Sequence, residues 1–434
     1  MKQYSKNPKM RRRRIISLCA ATLLLLLALI LLITGVRSCI KHTKAKNNAE
    51  KTEVAAVAEE ASQTAVKGQP AKATLLSTGD YLIHKEIFTN VQKSDGTWDF
   101  DSVFNYVRDE IKAADFAVCD FEFSIIDGTD YSFYPLFRLP ASTADAVKKA
   151  GFDLCITANN HIGDDREEGV YRTIKTLNKA GLKTTGAVLK PEDKHYQVVE
   201  VNGIKIGMVN YTFGTVDGNG LKALNGNAPL DADCSACVNV FQNEKLDDLY
   251  AELQDCYDGM IADGAETCIA YMHWGNEYQL TASPVQEAVA QKLCDMGFST
   301  IIGGHPHVIE PSAVITSENG NRAFCIYSTG NMVSNQRREY IPEANGYTED
   351  AIFVYTTFER DNDGNVTLSK VDYTPVWMNK YTANGVQNYR LIPLSDLSKP
   401  SEYGLSGNAL ANAKASKDRT DGLVAEGFAA YNKG

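Results

Sequence analysis

The stretch STIIGGHPHV, residues 299–308, joins a short apolar run to two glycines and two histidines. The apolar part has the length and the composition of a buried strand. Pro306 excludes a continuing helix and favours an extended backbone at His305, so the rings of His305 and His307 can project to one side. Open α/β sheets bind their ligands where strands end. This stretch therefore predicts an α/β fold with a functional site at the end of a strand.

Four other apolar runs end in polar side chains of the same kind. They are KATLLSTGD (72–80), FAVCDFEF (116–123), FDLCITANNH (152–161) and TCIAYMHWG (267–275). Amphipathic stretches, predicted to be helices, lie between most of these runs. Alternating strands and helices predict parallel pairing, with helices packed over the sheet.

Antiparallel pairs are predicted in the middle and at the end of the domain. YQVVEVNGIKIGMVNYTF (196–213) alternates on both sides of Asn202-Gly203, which is a strong hairpin signal. Turn residues in ENGNR (318–322) and DNDGN (361–365) predict further antiparallel pairs. The expected architecture is two sheets of mixed direction with helices on their outer faces.

The N-terminal residues predict a membrane anchor. Residues 15–36 hold no charge and are long enough to cross a bilayer. Seven basic residues precede this stretch and four follow it closely, which favours a cytoplasmic N-terminus and an extracellular body. One alternative is a cleaved signal peptide, although its apolar region is usually shorter than this one. The other is a lipoprotein signal ending at Cys39. The predicted segments are a basic cytoplasmic tail (1–14), a transmembrane signal anchor (15–36), an extracellular tether (37–72), a folded domain (73–381) and a polar C-terminal extension (382–434).

Charge divides the chain in the same way. The first 46 residues hold 11 of the 44 basic residues and no acidic residue, so the remainder has 33 basic against 54 acidic residues, a net charge of −21. A body this acidic is not expected to bind nucleic acid, nor an anionic polymer unless cations take part.

The ten cysteines do not form an obvious disulfide framework. Four of them lie inside apolar runs and are predicted to be free thiols in the core: Cys119, Cys155, Cys268 and Cys325. Cys234 and Cys237 form a lone CxxC pair, and we favour a local disulfide over zinc because no second pair has matching spacing.

Five of the seven histidines lie at or just after strand ends: His84, His161, His273, His305 and His307. A single histidine in such a place is commonly a structural residue. Five of them, together with carboxylate and amide side chains at other strand ends, indicate a metal site instead. Imidazole nitrogen with carboxylate and amide oxygen suits Mn, Fe or Zn, rather than a thiolate-type zinc site or an oxygen-only calcium site.

Six motifs in this order, over residues 73–335, resemble the CapA capsule-synthesis family, also called PgsA in poly-γ-glutamate systems. They are STGD (77–80), FEFS (121–124), ANNHIGD (158–164), HWGNEY (273–278), IIGGHPHVIEP (301–311) and YSTGNMV (327–333). That family is similar to calcineurin-like metallophosphoesterases. The resemblance therefore implies a four-layer α/β/β/α sandwich with two divalent metal ions at strand ends.

The resemblance also implies roles for individual residues. The implied metal ligands are Asp80, Glu122, Asn160, His273, His305 and His307. Glu122 would bridge the two ions, with Asp80 and His307 on one ion and the other three ligands on the second. His161 would be a catalytic general acid over the substrate, oriented by Asp164.

Three further residues have predicted places near this site. The related phosphoesterases have Asp-x-His in their first motif, whereas here His84 follows Asp80 by four residues, so His84 is either a possible metal ligand or a histidine at a helix start. Glu277 is expected to hydrogen-bond a metal-bound histidine. Trp274 is expected to line the entry to the site, with core packing as the alternative.

Three functional classes follow from these observations. The favoured one is a membrane-anchored extracellular protein of capsule or poly-γ-glutamate biosynthesis, export or anchoring, whose metal site acts on or binds an anionic polymer. Its implied partners are that polymer and membrane-bound synthesis or export subunits. The alternatives are an extracellular metal-dependent phosphoesterase and a non-catalytic scaffold that keeps the fold.

Overall fold

The computed structural model describes residues 69–433. The predicted basic tail (1–14), the transmembrane segment (15–36) and all but the last four residues of the tether (37–72) lie outside the described residues, and stay predictions. Within residues 69–433, no helix is both long and apolar enough to cross a bilayer.

Two seven-stranded sheets form the framework of the domain. The first sheet has the order β18 (Val386–Pro393), β17 (Val366–Ala383), β16 (Asp350–Arg360), β1 (Ala71–Tyr81), β2 (Phe116–Phe121), β5 (Leu154–Ile156), β6 (Lys183–Thr185). The second has the order β11 (Val240–Phe241), β8 (Ile204–Phe213), β12 (Thr267–His273), β13 (Thr300–Gly304), β15 (Arg322–Ile326), β14 (Ser312–Thr316), with β7 (Tyr196–Val201) paired to β8. Two short ladders join β3 (Ser124–Ile125) to β4 (Arg138–Leu139) and β9 (Thr215–Val216) to β10 (Lys222–Ala223).

Both sheets are mixed in direction, as the sequence predicts. Strands β1, β2, β5 and β6 are parallel, whereas β16, β17 and β18 add antiparallel. Strands β8, β12, β13 and β15 are parallel, whereas β7 and β14 pair antiparallel. The predicted hairpin is confirmed, because Val201 pairs with Ile204 and the turn residues Asn202 and Gly203 have φ of 49° and 82°. The fold class is α/β.

The α-helices of residues 69–433 are α1 (Lys85–Asn90), α2 (Arg108–Ala113), α3 (Ser142–Ala150), α4 (Arg166–Lys179), α5 (Ala232–Cys237), α6 (Leu246–Ala262), α7 (Pro284–Met296) and α8 (Gly407–Lys433). Helix α7 begins with Ser283 as its N-cap, followed by Pro284, which suits the first turn because its missing N–H would have no helical partner.

Apolar side chains cover both faces of each sheet because successive residues of a strand point to opposite sides. On β1, Leu75 lies in the core between the two sheets, and Leu76 lies in the core on the outer face of the first sheet. On β12, Tyr271 belongs to the core between the sheets and Met272 to the outer core of the second sheet. Helices α2 and α3 contribute to the first outer core, and α6 and α7 to the second.

The C-terminal residues complete the core between the sheets, which corrects the predicted extension at 382–434. The boundary predicted after residue 381 falls inside β17, and β18 pairs with that strand. Helix α8 contributes Val424, Phe428 and Tyr431 to the core. Its Arg419 donates to both oxygens of Asp350 on β16 at 2.8 Å. Residues up to 433 therefore belong to the folded domain.

The Phe428→Ala variant is expected to lose about 3–5 kcal/mol of unfolding free energy, as large-to-small changes in a core do. The Phe428 ring lies 4.6 Å from those of Phe324 and Tyr373, so its removal leaves a cavity between the sheets. Urea unfolding measures the change, with Lys414→Ala on the exposed face of α8 as the control. Equal stability of the two variants would mean that the Phe428 ring does not stabilise the core between the sheets.

The eight described cysteines are buried free thiols. This confirms the prediction for Cys119, Cys155 and the other two cysteines in apolar runs. The local disulfide predicted for Cys234 and Cys237 is wrong in this structure. Their segment forms helix α5, with Asp231 accepting from the Cys234 amide at 2.8 Å.

Candidate metal centre

Polar side chains from both sheets meet where their strands end. Asp80 lies near the end of β1, His273 ends β12, and His305 and His307 directly follow β13. The strands approach each other closely here, since a Cβ on Gly304 would lie 2.8 Å from Asp80 Oδ1. Glycine at the end of β13 therefore leaves room for the Asp80 carboxylate.

The turn that carries the two histidines is strained. His305 has φ of 95° and His307 has φ of 57°, in a region that non-glycine residues rarely adopt. The expected extended backbone at His305 is therefore wrong. The two rings nevertheless lie together, with centroids 5.8 Å apart. Strain of this kind persists where the surrounding structure holds the residue, and it is concentrated at functional sites.

A first cluster is formed by Asp80, Glu122 and His307. One potential ligand atom from each of these buried residues lies within 4.8 Å of the others. His307 Nδ1 is 2.9 Å from Asp80 Oδ2, and His307 Nε2 is 4.0 Å from Glu122 Oε1.

A second cluster is formed by Glu122, His273 and His305, which are also close enough to share an ion. Asn160 joins it, because its Oδ1 lies 2.7 Å from His273 Nε2. His273 Nε2 is 3.5 Å from Glu122 Oε1. All six ligands expected from the sequence are therefore brought together, with Glu122 common to both clusters.

The two clusters contain buried polar atoms that lack partners and that a metal ion could bind. Among the described residues, both carboxylate oxygens of Glu122 and the Nδ1 of His305 are buried without any hydrogen-bond partner. Buried polar atoms are almost always hydrogen-bonded, because leaving them unpaired is costly. Oxygen and imidazole nitrogen around these atoms form a donor set that suits Mn, Fe or Zn.

Asp120 is a further residue of the site, for which no role was predicted. Its Oδ2 lies 2.9 Å from His273 Nδ1, and its Oδ1 accepts from Asn159 Nδ2 at 3.1 Å. A carboxylate that accepts a hydrogen bond from Nδ1 keeps the ring proton on this nitrogen. Nε2 then faces Asn160 and Glu122. The available signal was spacing, since Asp120 precedes Glu122 by two residues and period-two positions share a face.

The clusters hold opposite charges out of water. Burial raises the pKa of Asp80, and the nearby Glu122 raises it further. Burial would also raise the pKa of Glu122, but His307 and His273 lower it to about 2. Burial would lower the pKa of His273, but Asp120 and Glu122 raise it to about 10. Divalent ions would replace the protons that balance these carboxylates, so metal binding releases protons.

His305 differs from the other histidines of the two clusters. Burial lowers its pKa well below the usual value, and the adjacent His273 and His307 lower it further. His305 is therefore neutral at physiological pH, which is the form in which imidazole binds a metal.

Comparison with known proteins identifies the family. Residues 74–336 match the family model of the bacterial capsule synthesis protein PGA_cap. The chain belongs to this capsule synthesis family. The matched residues include all six motifs and both clusters, so the resemblance noted in the sequence is confirmed.

Two curated relatives of the capsule synthesis family are similar to this chain. The capsule biosynthesis protein CapA of Bacillus anthracis is 29% identical over 272 residues, which are 61% of this chain and 60% of that protein. The PGA biosynthesis protein CapA of Bacillus subtilis (strain 168) is 26% identical over 281 residues, which are 63% of this chain and 65% of that protein. The chain thus matches less than two thirds of the length of each relative.

The family motif ANNHIGD forms a hydrogen-bonded pair beside the clusters. His161 Nδ1 lies 2.7 Å from Asp164 Oδ2, which also accepts from the Phe137 amide at 2.6 Å. The ring packs edge-on against Phe137 with centroids 4.8 Å apart, and Asn225 Nδ2 lies 3.3 Å from Nδ1. Asp164 thus orients the ring, and Nε2 is left as the nitrogen that can exchange a proton with a ligand.

His84 lies at the start of α1 and outside both clusters. Its Nδ1 accepts from the Asn335 amide at 3.2 Å and lies 3.3 Å from the Leu82 carbonyl oxygen. Burial lowers its pKa to about 4, and the nearby His307 contributes to this shift. The structure therefore favours the helix-start alternative for His84.

The structure corrects two expectations about the family motif HWGNEY. Trp274 is fully buried and donates to the Tyr327 carbonyl at 2.8 Å, so it packs in the outer core rather than lining the entry. Glu277 is exposed, and none of the hydrogen bonds of the described residues joins it to a histidine. The partners of His273 Nδ1 and His307 Nδ1 are Asp120, Asp80 and Asn331 instead.

Proposed function

We propose that this protein is a membrane-anchored extracellular component of capsule biosynthesis, with a two-ion centre that acts on an anionic substrate. The membership in the capsule synthesis family and the printed names of both relatives support the role in capsule biosynthesis. The charge pattern around residues 15–36 supports the anchor and the extracellular location.

The fold that we propose is the four-layer α/β/β/α sandwich of metallophosphoesterases. One apolar core between two sheets and a further core on the outer face of each sheet support this arrangement. The clusters at the strand ends lie where such a fold places its ions.

Glu122 carries the proposal of two ions. This buried carboxylate belongs to both clusters, and neither of its oxygens has a hydrogen-bond partner among the described residues. An ion in each cluster would give a partner to each of these two oxygens. We therefore assign Asp80, Glu122 and His307 to one ion, and Glu122, Asn160, His273 and His305 to the other.

The protein residues define the chemistry around this centre. Bound divalent ions would supply positive charge that stabilises an anionic reacting centre and acidifies water. Asp120 holds the His273 ring, and Asp164 holds the His161 ring. His161 then donates a proton from Nε2 to the leaving group, in the role of general acid.

The substrate class that we propose is an anionic polymer such as poly-γ-glutamate. The name of the Bacillus subtilis relative, a PGA biosynthesis protein, supports this choice. The net charge of −21 beyond residue 46 disfavours nucleic acid and means that an anionic polymer needs cations to bind. Membrane-bound synthesis or export subunits are the partners that we propose.

Phosphoester hydrolysis is the second candidate activity. The short contact between His161 and Asp164 supports it, because an oriented general acid can protonate the alkoxide that leaves an alkyl phosphoester. A scaffold without turnover would not need this pair.

The metal content of the purified protein tests the two-ion centre. We expect about two divalent ions per wild-type chain, and near-complete loss in a His305→Ala/His307→Ala double variant. Elemental analysis measures both, with His195→Ala as the matched control because His195 bonds Asn239 away from the clusters. A wild-type protein that takes up neither manganese nor zinc would contradict the two-ion centre and favour the scaffold.

Activity assays with the loaded protein then separate the remaining functions. Release of an alcohol from an alkyl phosphate supports the phosphoesterase, and shortening or transfer of poly-γ-glutamate supports action on the polymer. His161→Ala is expected to keep the ions and to lose either activity. An unchanged rate in this variant would refute the role of His161 as general acid.

A further inference from the structure

His307 Nδ1 faces two oxygen atoms but can donate only one proton. Asp80 Oδ2 lies 2.9 Å from this nitrogen, and Asn331 Oδ1 lies 3.1 Å from it. A bond to Asp80 would occupy an oxygen of the carboxylate assigned to an ion. A bond to Asn331 leaves that oxygen available, so the choice of acceptor matters for the first cluster.

The surroundings of Asn331 fix which end of its amide faces the ring. Its Nδ2 lies 3.1 Å from the His307 carbonyl oxygen, 2.9 Å from Gln336 Oε1 and 3.1 Å from the Thr348 carbonyl oxygen. Oxygen atoms of this kind can only accept, so the NH2 group must lie on their side. The amide oxygen of this buried side chain therefore faces His307.

Gln336 and Tyr278 stabilise this orientation of the Asn331 amide. Gln336 Nε2 donates to the Tyr278 hydroxyl at 3.2 Å, which turns Gln336 Oε1 towards Asn331. The Tyr278 amide donates to the Pro306 carbonyl at 2.8 Å, and its ring lies 6.3 Å from that of His307. The loop after β12, the histidine turn and the segment after β15 are thus tied into one network.

We propose that Asn331 is a positioning residue of the metal centre, whose amide oxygen accepts the Nδ1 proton of His307 and leaves Asp80 free to bind an ion. This inference rests on the two-ion centre of the proposed function. Asn331 lies in the YSTGNMV motif, where the sequence analysis assigned no residue a role. The network also keeps His307 Nε2 on the side of Glu122.

Stepwise metal affinities of the purified full chain test this inference. The metal-free protein is titrated calorimetrically with Mn²⁺ or Zn²⁺. In Asn331→Leu and Gln336→Met, the affinity for one ion is expected to fall about 10–100-fold while the other stays unchanged, as happens when a hydrogen-bond partner of a ligand is removed. Gln336→Glu keeps an acceptor for Asn331, so this variant is expected to retain most of the wild-type affinity for that ion.

Controls separate this role from a structural one. Gln291→Met removes hydrogen bonds to Asp295 and to the Thr316 carbonyl, neither of which belongs to a cluster, and both affinities should stay unchanged. Gln336 is only half-buried, so its variants keep the test valid if Asn331→Leu does not fold. A lower unfolding midpoint of the metal-free Gln336→Met protein with both affinities unchanged overturns the inference, as does equal weakening of both ions. A wild type that binds no ion overturns the two-ion centre itself.

Discussion

Glu122→Gln is expected to weaken the binding of both metal ions, whereas Asp80→Asn weakens only one. Glu122 is the carboxylate common to the two clusters, and Asp80 does not share a cluster with His305. Loss of a mere hydrogen-bond partner of a ligand costs about 10–100-fold in affinity, and loss of a shared charged ligand is expected to cost more. Calorimetric titration with Mn²⁺ or Zn²⁺ gives the two affinities separately.

The exposed Glu318 supplies the matched control for this change. Glu318→Gln removes the same charge from the surface and should leave both affinities as in the wild type. If Glu122→Gln lost one ion and kept the other at full affinity, Glu122 would be a ligand of a single ion, and the assignment of a bridge would be wrong.

The Glu310→Gln variant is expected to be more stable than the wild type, by a difference in unfolding free energy that grows as the pH rises. Glu310 is fully buried, and burial raises its pKa from 4.5 to about 8, although the Gln286 amide that donates to it at 2.5 Å opposes this shift. Between these two values the unfolded chain has released the proton and the folded protein still holds it. The unfolding free energy of the wild type therefore falls by up to about 1.4 kcal/mol per pH unit in this window.

Gln at position 310 keeps an acceptor for Gln286 and has no proton to release. The two proteins should be similar near pH 4.5, and the variant should be about 2–4 kcal/mol more stable near pH 8. Urea unfolding at pH 4.5, 6 and 8 measures the difference, with Glu318→Gln as a surface control. A difference that does not grow with pH would mean that Glu310 is already ionised in the folded protein.

The sequence predicted the α/β class from local patterns, and the structure brings together the six ligands that the family resemblance implies, because they lie at strand ends that the same patterns indicate. Apolar runs that end in Asp80, Asn160 or His273 indicate strand ends, and strand ends of parallel sheets meet at one edge. The Asn202-Gly203 hairpin was equally local. Each of these patterns depends only on residues that are neighbours along the chain.

The sequence does carry a signal for the burial of Trp274. Its position has the same parity as Ala270 and Met272 on β12, and all three lie in the outer core of the second sheet. The period of two along a strand therefore predicts its burial away from the site. The aromatic character of the residue suggested a binding role that its register excludes.

The partners of the ligands could not be predicted because they are contacts between distant segments. Asn331 follows His307 by 24 residues and reaches it only when β15 returns beside β13. Asp120 meets His273 across the two sheets, at a separation of 153 residues. No local pattern in a single sequence specifies such pairs.

The sequence did not predict that helix α8 packs in the core, because small and polar residues form much of its buried face. Val424, Phe428 and Tyr431 have helical spacing, but the buried residues before them are Ala413, Ser416 and Thr420. Such a stretch has no strong apolar stripe, so only the tertiary structure reveals that it covers the core.

The position of helix α8 also determines when the domain can fold. Strand β1 lies between β2 and β16 in the first sheet, and α8 closes the core between the sheets with residues from the last part of the described chain. Until these residues have been synthesised, the early strands lack a neighbour and a cover, and their apolar faces stay accessible to chaperones. The core between the sheets is therefore complete only after residues 407–433 have emerged. A chain that stalls before that point would leave this core open to proteases.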